Sequence, residues 1–369
     1  MQYRKMGCTG VEVSALGYGC MRFPTVGEEK AVDEAEAIRL LRRAIDNGVN
    51  YVDTAYFYHG GNSEIIVGKA LEDGYREKVS IATKLPIESI GCEEDVEKIF
   101  NDQLKKLRTD HIDFYLLHAA NADGWKNKVE KFNIIPKIEK LKAEGKIRHF
   151  GFSFHDDLPV FKMIIDSYPG FEFCQIQYNY VDTDYQAGTE GLEYAASKGL
   201  GVIIMEPLLG GRLAIPPEAV ASALSDKKSP IEWAFDYLWN RPEVSLVLSG
   251  MGSEQMVDDN IEYASRSSVG MLSEEELSML AEAKKKYDSM LLIPCTGCEY
   301  CMPCPNGVEI PRIFAAYNRI SDINRRGIKE IFPDIDDNAR LCAGCGSCEQ
   351  KCPQQLDIIK KLKAVRDKF

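Results

Sequence analysis

No stretch of this 369-residue chain approaches the roughly twenty consecutive apolar residues that a membrane-spanning helix needs. The first residues, MQYRKMGCTGVEV, lack the apolar core of a secretory signal, which predicts a cytoplasmic protein. An excess of positive charge is missing too. The formal net charge of −12 argues against nucleic acid or an anionic membrane as partner. There is no low-complexity tract, and a hydrophobic fraction of 45% is enough to bury a sizeable core. Cysteine is scarce over most of the length: Cys8, Cys20, Cys92 and Cys174 are the only ones before position 295, and their spacing suits no metal. They read as packing residues or free thiols, with Cys20 nearest the expected site. The scarcity then ends abruptly in C295-TG-C298-EY-C301-MP-C304-P and C342-AG-C345-GS-C348-EQK-C352-P. In a chain without a secretory signal, paired Cys-x-x-Cys runs point to metal rather than to disulfides.

Ahead of that tail, short apolar runs alternate with longer amphipathic segments. The runs are VSALGYG (13–19), NYVDTA (50–55), VSIATKL (79–85), HIDFYLLH (111–118), HFGFSF (149–154), FCQIQYN (173–179), GVIIMEP (201–207) and VSLVLSG (244–250). Most are too short for helices and rich in Val, Ile, Phe and Tyr, so they read as buried strands. Between them, EAEAIRLLRRAIDNG (34–48) sets Ile38, Leu41 and Ile45 on one face and stops at Gly48, and four further segments follow the same logic. Eight strands, each with a following helix, predict an α/β fold: a closed (β/α)8 TIM barrel. YRKMGCTGVEVS reads as a hairpin closing the barrel floor, and SEEELSMLAEAKKKYDSM (273–290) as an extra helix. The composition shifts near Leu291, which divides the chain into 1–290 and 291–369.

Active sites of such barrels lie at the C-terminal strand ends. There stand Asp53, with Tyr56 and Tyr58 in the next loop, then Lys84, His118, Ser153, and Gln175, Gln177 and Asn179. An Asp, a Tyr, a Lys and a His converging from neighbouring strands have a chemical purpose. A free phenol, with a pKa near 10, is a poor acid at neutral pH. An ammonium beside it stabilises the phenolate, a carboxylate holds the ammonium in place, and an imidazole fixes a carbonyl oxygen or relays a proton. Such a set suits a carbonyl that receives hydride on carbon and a proton on oxygen. Trp125, His59 and His155 fall in the same loops and read either as substrate contacts or as surface residues.

The stretches G48-VNYV-D53-TAYF-Y58-HGGNS-E64, AT-K84 and DFYLL-H118 resemble, in order and spacing, the signatures of the aldo-keto reductase family over roughly residues 1–290. The resemblance implies that Tyr58 is the general acid, tuned by Asp53 and Lys84, and that His118 positions the carbonyl. Tyr56 has the wrong spacing from Asp53 for that role. It further implies a nicotinamide site, NAD(H) or NADP(H), with Ser153 and Gln175 on the carboxamide, although Phe154 stands where the family has Asn. Met205 takes the ring-stacking position, usually aromatic, and Pro207, Leu208, Gly210 and Gly211 the pyrophosphate loop. Asp259 and Asn260 remain as adenine acceptors. The basic residues that grip a 2′-phosphate in many members are replaced by Gly250 and Met256, which leaves NAD(H) open.

In the tail, three cysteines at a spacing of three and a fourth before Pro occur twice, the pattern of bacterial ferredoxins. Soft thiolates suit iron and sulfide, with a zinc site the competing reading. The resemblance to ferredoxins implies two 4Fe-4S clusters, one on Cys295, Cys298, Cys301 and Cys352, the other on Cys342, Cys345, Cys348 and Cys304. Cys304 comes one residue early for the usual spacing. IPRIFAAYNRI (310–320) and LDIIKKLKAVRDKF at the end carry helical spacing, more like an α-helical ferredoxin-like domain than a β-rich one. With so little apolar sequence, this domain is expected to lean on its clusters as staples.

Taken together, the chain resembles the aldo-keto reductases that carry a C-terminal 4Fe-4S dicluster domain. The expected activity is reversible NAD(P)(H)-dependent hydride transfer with a small-molecule carbonyl or alcohol. Clusters pass single electrons and nicotinamide a hydride, so a relay between them needs a mediator, normally a flavin. No flavin motif is evident, so either a flavin comes from a redox protein partner or binds in the barrel without a recognised motif, as in a flavin-mediated electron-transfer oxidoreductase, or the clusters are structural. A non-catalytic nicotinamide-binding redox or oxygen sensor is the alternative from another class.

Overall fold

Each apolar run becomes a strand in the computed structural model, which describes residues 1–27, 31–290, 292–319, 328 and 332–368. Strands β1 (Tyr3–Lys5) and β2 (Glu12–Ser14) form an antiparallel hairpin, and β3 (Leu16–Gly19) opens the barrel. After a short ribbon of β4 (Thr25–Val26) and β5 (Ala31–Val32) come β6 (Tyr51–Asp53), β7 (Ser80–Leu85), β8 (Ile112–Ala120), β9 (Ile147–Phe154), β10 (Phe173–Gln177), β11 (Gly201–Met205) and β12 (Val244–Ser249). The strands from β6 to β12, with β3 closing against both β12 and β6, make one closed barrel in which every pairing is parallel. Parallel strands wrapped by helices are buried on both faces, hence near-continuous apolar runs rather than alternation. Every residue of β6, β10 and β12 is buried.

The hairpin does close the floor. Met6, between β1 and β2, lies fully buried among Val13, Tyr51, Phe114, Phe173, Ile203 and Leu246 of the barrel interior. Gly7 has φ of 50°, and a Cβ there would collide with the Leu200–Gly201 backbone.

The helices follow the expected amphipathic logic. Helix α1 (Glu34–Asp46) is capped by Asp33, whose side chain accepts from the Glu36 N–H, and it buries Ala37, Leu40, Leu41, Ala44 and Ile45. Ile38 sits at the margin of that face, half-buried. Helices α2 (Ser63–Ala70), α3 (Glu94–Leu107), α4 (Ile134–Ala143), α5 (Leu158–Ser167), α6 (Gly188–Ser197), α7 (Pro230–Trp239) and α8 (Glu254–Ser265) continue the alternation. The added helix α9 (Glu274–Ser289) begins with a capping box between Ser273 and Glu276.

Two compact units result. One comprises Met1–Tyr178, Asp182–Pro207 and Phe235–Met271, the other Asn179–Val181, Leu208–Ala234 and Leu272–Phe369. The second unit holds α10 (Ile310–Asn318), α11 (Ile335–Arg340), α12 (Ser347–Gln350) and α13 (Ile358–Lys368). Both helices anticipated around the cysteines are present; Ile320 lies outside the described residues. Ile293, Ile310, Ile313, Phe314, Ile358 and Leu362 belong to a real buried core there, against which Cys295, Cys301, Cys304, Cys342, Cys348 and Cys352 pack. Among the described residues no helix is long and apolar enough to cross a membrane.

Candidate active site and cluster cradle

Strand register brings the polar strand ends together. Parallel pairing sets β6 beside β7 and β7 beside β8, so Asp53, Lys84 and His118 emerge at the same barrel end. Lys84 Nζ donates to both Asp53 carboxylate oxygens and to the Thr54 carbonyl, each at 2.8 Å. Both side chains are buried, 1% and 3% exposed. Burial pushes the Asp53 carboxyl above its usual range, opposed by the Lys84 ammonium. Tyr58 Oη lies 3.5 Å from Lys84 Nζ, and the ammonium sits 5.0 Å from the centre of its ring. The Tyr58 and His118 rings meet edge to face at 6.1 Å. Desolvation, with the Lys84 charge and His155 adding to it, holds His118 well below the usual imidazole range, so it is neutral at pH 7.

Tyr56 is elsewhere. Lys106 Nζ stands 3.8 Å from its ring centre, and the ring packs edge-on against Phe57. Cys20, fully buried, feels the charges of Asp53 and Lys84, and its thiol is pushed well up by burial. His59 stacks on Phe23 and accepts from its N–H, which ties two mouth loops together. The Trp125 indole N–H is used by Glu130. His155, half-buried, lies close enough to His118 to add to its shift, and desolvation lowers its own pKa to about 4.

Ser153 does something the sequence did not announce. Its hydroxyl accepts from the Ala119 N–H at 2.8 Å and donates to the Leu117 carbonyl at 3.4 Å. These two residues flank His118, at a register shift in β8 where Ala119 takes φ of 54°. The hydroxyl therefore pins the bulge that aims the imidazole. Gln175 is 2% exposed; its Nε2 points to Met205 Sδ at 3.6 Å, and its buried Oε1 has no partner among the described residues. Gln177 is spent on Asp182, and Asn179 accepts from the Val181 N–H. Asn260 is buried and donates to Ser249 Oγ, while Asp259 accepts from Gln255 on the same helix.

Behind Lys84 lies a network that sequence reading missed. Gln103 donates to Glu64 Oε1 (2.8 Å) and to the Lys84 carbonyl (3.0 Å), Thr83 donates to Glu64, and Tyr115 donates to Gln103 Oε1. All four are fully buried. A signal existed: Gln103 occupies a core position of α3 between Phe100 and Leu107.

In the second unit the segment Leu208–Leu213 is fastened to the start of the cysteine run. Gly210 has φ of 66°, and a Cβ there would collide with the Thr296 carbonyl, whereas one on Gly211 would meet nothing. Arg212 Nη1 donates to the Ile293 carbonyl at 2.9 Å and the guanidinium lies over Tyr287. Asn318 brackets the same residue, accepting from the Ile293 N–H and donating to its carbonyl, both at 2.8 Å.

Cys295, Cys298, Cys301 and Cys352 line one recess, together with Ile310 and Phe314. Burial, then the neighbouring thiols Cys298, Cys295 and Cys352, push Cys301 up to about 12. The four expected ligands of the first cluster thus line a shared space. Of the second set, Cys342 and Cys348 are electrostatic neighbours and Cys304 packs on the same core; Cys345 is exposed beside Ser347.

Comparison with known proteins follows this division. Residues 15–285 match the aldo/keto reductase family and residues 294–357 the 4Fe-4S dicluster domain. The chain is 31% identical to L-galactose dehydrogenase of Arabidopsis thaliana over 283 residues, covering 71% of this chain and 87% of that protein. The holo form of the aldo-keto reductase AKR11C1 from Bacillus halodurans superposes with a TM-score of 0.64 at 26% identity, over 77% of this chain and 96% of that one. An aldo-keto reductase from Klebsiella pneumoniae in complex with NADPH, at 23% identity and TM-score 0.63 over 76% and 94%, shares the fold. The chain belongs to the aldo/keto reductase family of oxidoreductases and carries a C-terminal 4Fe-4S dicluster domain.

Proposed function

We propose that the protein is an NAD(P)(H)-dependent oxidoreductase that interconverts a small-molecule carbonyl and its alcohol, with Tyr58 as general acid in the reducing direction. The observation that carries this reading is the Asp53–Lys84 pair set against Tyr58 and His118. Tyr58 Oη gives its proton to the carbonyl oxygen as the carbon accepts hydride, and the Lys84 ammonium stabilises the phenolate left behind. Asp53 accepts two hydrogen bonds from that ammonium and holds it in place in a buried setting. Neutral His118 keeps one ring N–H to donate to the carbonyl oxygen, which fixes its orientation without competing for the proton. In the alcohol-to-carbonyl direction the same Tyr58 oxygen takes the proton back.

A bound nicotinamide supplies or accepts the hydride. Fit is supported by the buried, unpartnered Gln175 Oε1, an acceptor suited to a carboxamide N–H, next to the soft surface of Met205. Ser153, Pro207, Leu208, Gly210, Gly211, Asp259 and Asn260 complete the proposed contact set, Gly211 being the loop glycine with open space around it. Barrel chemistry is assigned to 1–290 and the two 4Fe-4S clusters to 291–369, on Cys295, Cys298, Cys301 and Cys352 and on Cys342, Cys345, Cys348 and Cys304. The recess favours the first set directly. A bound cluster would supply one-electron chemistry.

The test is an anaerobic screen of carbonyls and alcohols with both nicotinamides on cluster-replete protein, then Tyr58→Phe on any substrate accepted. Loss of about 10²- to 10⁴-fold in kcat is expected for loss of the general acid. Unchanged rates in a folded variant would remove Tyr58 from the role.

A further inference from the structure

The loop after β12 holds no lysine or arginine from Ser249 to Asn260, yet a cation reaches it from another strand. Because β3 pairs in parallel with β12, with Tyr18 opposite Ser249, the turns that follow the two strands leave the same barrel end side by side. Arg22, exposed in the turn after β3, lays its aliphatic stem over Gly250. A Cβ on Gly250 would stand 2.9 Å from Arg22 Cβ, 3.4 Å from Cγ and 3.5 Å from Cδ. Gly250 is not among the residues with positive φ, so its backbone does not demand glycine; the space does. The position is small because an arginine from elsewhere already occupies the volume of a side chain.

Next along the chain, α8 begins at Glu254 behind its cap Ser253, whose hydroxyl accepts from the Met256 N–H. Two of the three acids of its first two turns are paired from α1: Arg39 with Glu254 at 2.5 Å, and Arg43 with Asp258 at 2.7 Å and Glu254 at 3.4 Å, while Asp259 accepts from Gln255. Glu254 and Asp258 therefore do not oppose a second negative group with their full charge.

We propose that Arg22 is a phosphate contact for the adenosine half of the nicotinamide cofactor, standing in for a basic residue at position 250. This rests on the nicotinamide reading above and deepens it. The ligand chemistry is a phosphate oxygen, supplied by the 2′-phosphate of NADPH or by the pyrophosphate common to NADPH and NADH. An arginine fork suits either, through charge-assisted hydrogen bonds.

The experiment is equilibrium titration of the full cluster-replete chain with NADPH and with NADH, followed by nicotinamide fluorescence, with thermal unfolding as a control. Arg22→Gln keeps much of the stem over Gly250 and removes the charge. It is expected to weaken NADPH binding about 10- to 100-fold, the ordinary cost of losing a charged hydrogen bond, while Arg22→Lys retains most of the affinity. If the 2′-phosphate is the ligand, NADH binding stays within twofold; if the pyrophosphate is, both weaken together. The double variant R22A/G250K, in which the vacated space admits a lysine, is expected to regain affinity that R22A loses, a result that general misfolding could not produce. Wild-type affinity for both cofactors in Arg22→Gln overturns the proposal alone. A wild-type protein that binds neither cofactor overturns the nicotinamide reading and this one with it.

Discussion

Replacing Lys84 by Met should expose how the buried pair is held. The variant keeps side-chain length but deletes three contacts of 2.8 Å, two to Asp53 and one to the Thr54 carbonyl. Removing one partner of a buried ion pair costs about 3–5 kcal/mol, because the remaining charge is left desolvated. Against a total stability of about 5–15 kcal/mol, the barrel stays folded but near its limit. The pH dependence carries the sharper information. Burial already raises the Asp53 carboxyl and Lys84 opposes it, so without Lys84 the rise is larger. A carboxyl raised in the folded state holds its proton where the unfolded chain has released it. Stability is then greatest at low pH and falls as pH climbs from about 4, by up to ~1.4 kcal/mol per pH unit, until Asp53 ionises in the folded state. Urea unfolding at pH 5, 6, 7 and 8 under anaerobic conditions measures this. Lys84→Met should show a steeper decline than wild type, and adding Asp53→Asn should flatten the decline and recover about 2 kcal/mol or more at pH 8. A Lys84→Met profile parallel to wild type, or a double variant no more stable at pH 8, would refute the account.

Ser153→Ala leaves the Ala119 N–H without its acceptor and frees the turn around His118; about 1–3 kcal/mol of stability should be lost, with kcat/KM falling more than cofactor affinity, measured by kinetics beside nicotinamide titration. His118 and His155 are both held neutral, so the kcat profile of the wild type should show no imidazole inflection between about pH 5.5 and 8; a break near 6.5 that disappears in His118→Gln would contradict their assigned state. Gly210→Ala places a Cβ against the Thr296 carbonyl at a backbone of φ 66°, and should lower the iron and acid-labile sulfide retained on purification, where Gly211→Ala, with open space at that position, costs about 1 kcal/mol of strain and retains them.

The barrel was legible because closing eight parallel strands under helices buries both strand faces, and that physics writes apolar runs such as VSIATKL and GVIIMEP into the chain. The helical faces were legible in outline. On α1 the buried stripe runs through Ala37, Leu40 and Ala44, small and long side chains that close packing selects, and leaves the bulkier Ile38 at its edge. What stayed hidden depends on contacts remote in sequence. Nothing in HAA (118–120) signals that Ala119 will adopt a left-handed backbone, since alanine has no preference for it; the turn exists because a hydroxyl 34 residues away holds it. Gln103 was visible only as a polar residue on an apolar helix face, and its partners Glu64, Thr83 and Tyr115 come from three other elements. Gly250 read as a missing cation; its meaning changes once Arg22, some 230 residues earlier in the chain, is seen across it.

The cysteine tail poses the remaining question, whether clusters and hydride chemistry share electrons or only a scaffold. A relay needs a group that exchanges a hydride for single electrons, and no sequence motif for one is evident. A scaffold needs packing, and packing is what the second unit has. The chain runs from Met205 at the end of β11 through Pro207 into a loop whose Gly210 sits against Thr296 and whose Arg212 donates to Ile293. Thr296 lines the recess of the four thiols, and the Ile293 carbonyl is shared among the Cys295 N–H, Arg212 and Asn318. Filling that recess with a cluster would draw Cys295, Cys298, Cys301 and Cys352 onto one body, and through Thr296 and Ile293 it would hold the 208–213 loop in its observed shape. The loop is the stretch that the family resemblance assigns to the pyrophosphate. Cluster loss is therefore expected to act first on the order of that loop rather than on the redox state of the barrel. Hydrogen exchange of residues 208–213 in cluster-replete and cluster-free protein reads the difference directly: faster exchange after cluster removal supports the scaffold, and unchanged protection in a cluster-free chain excludes it.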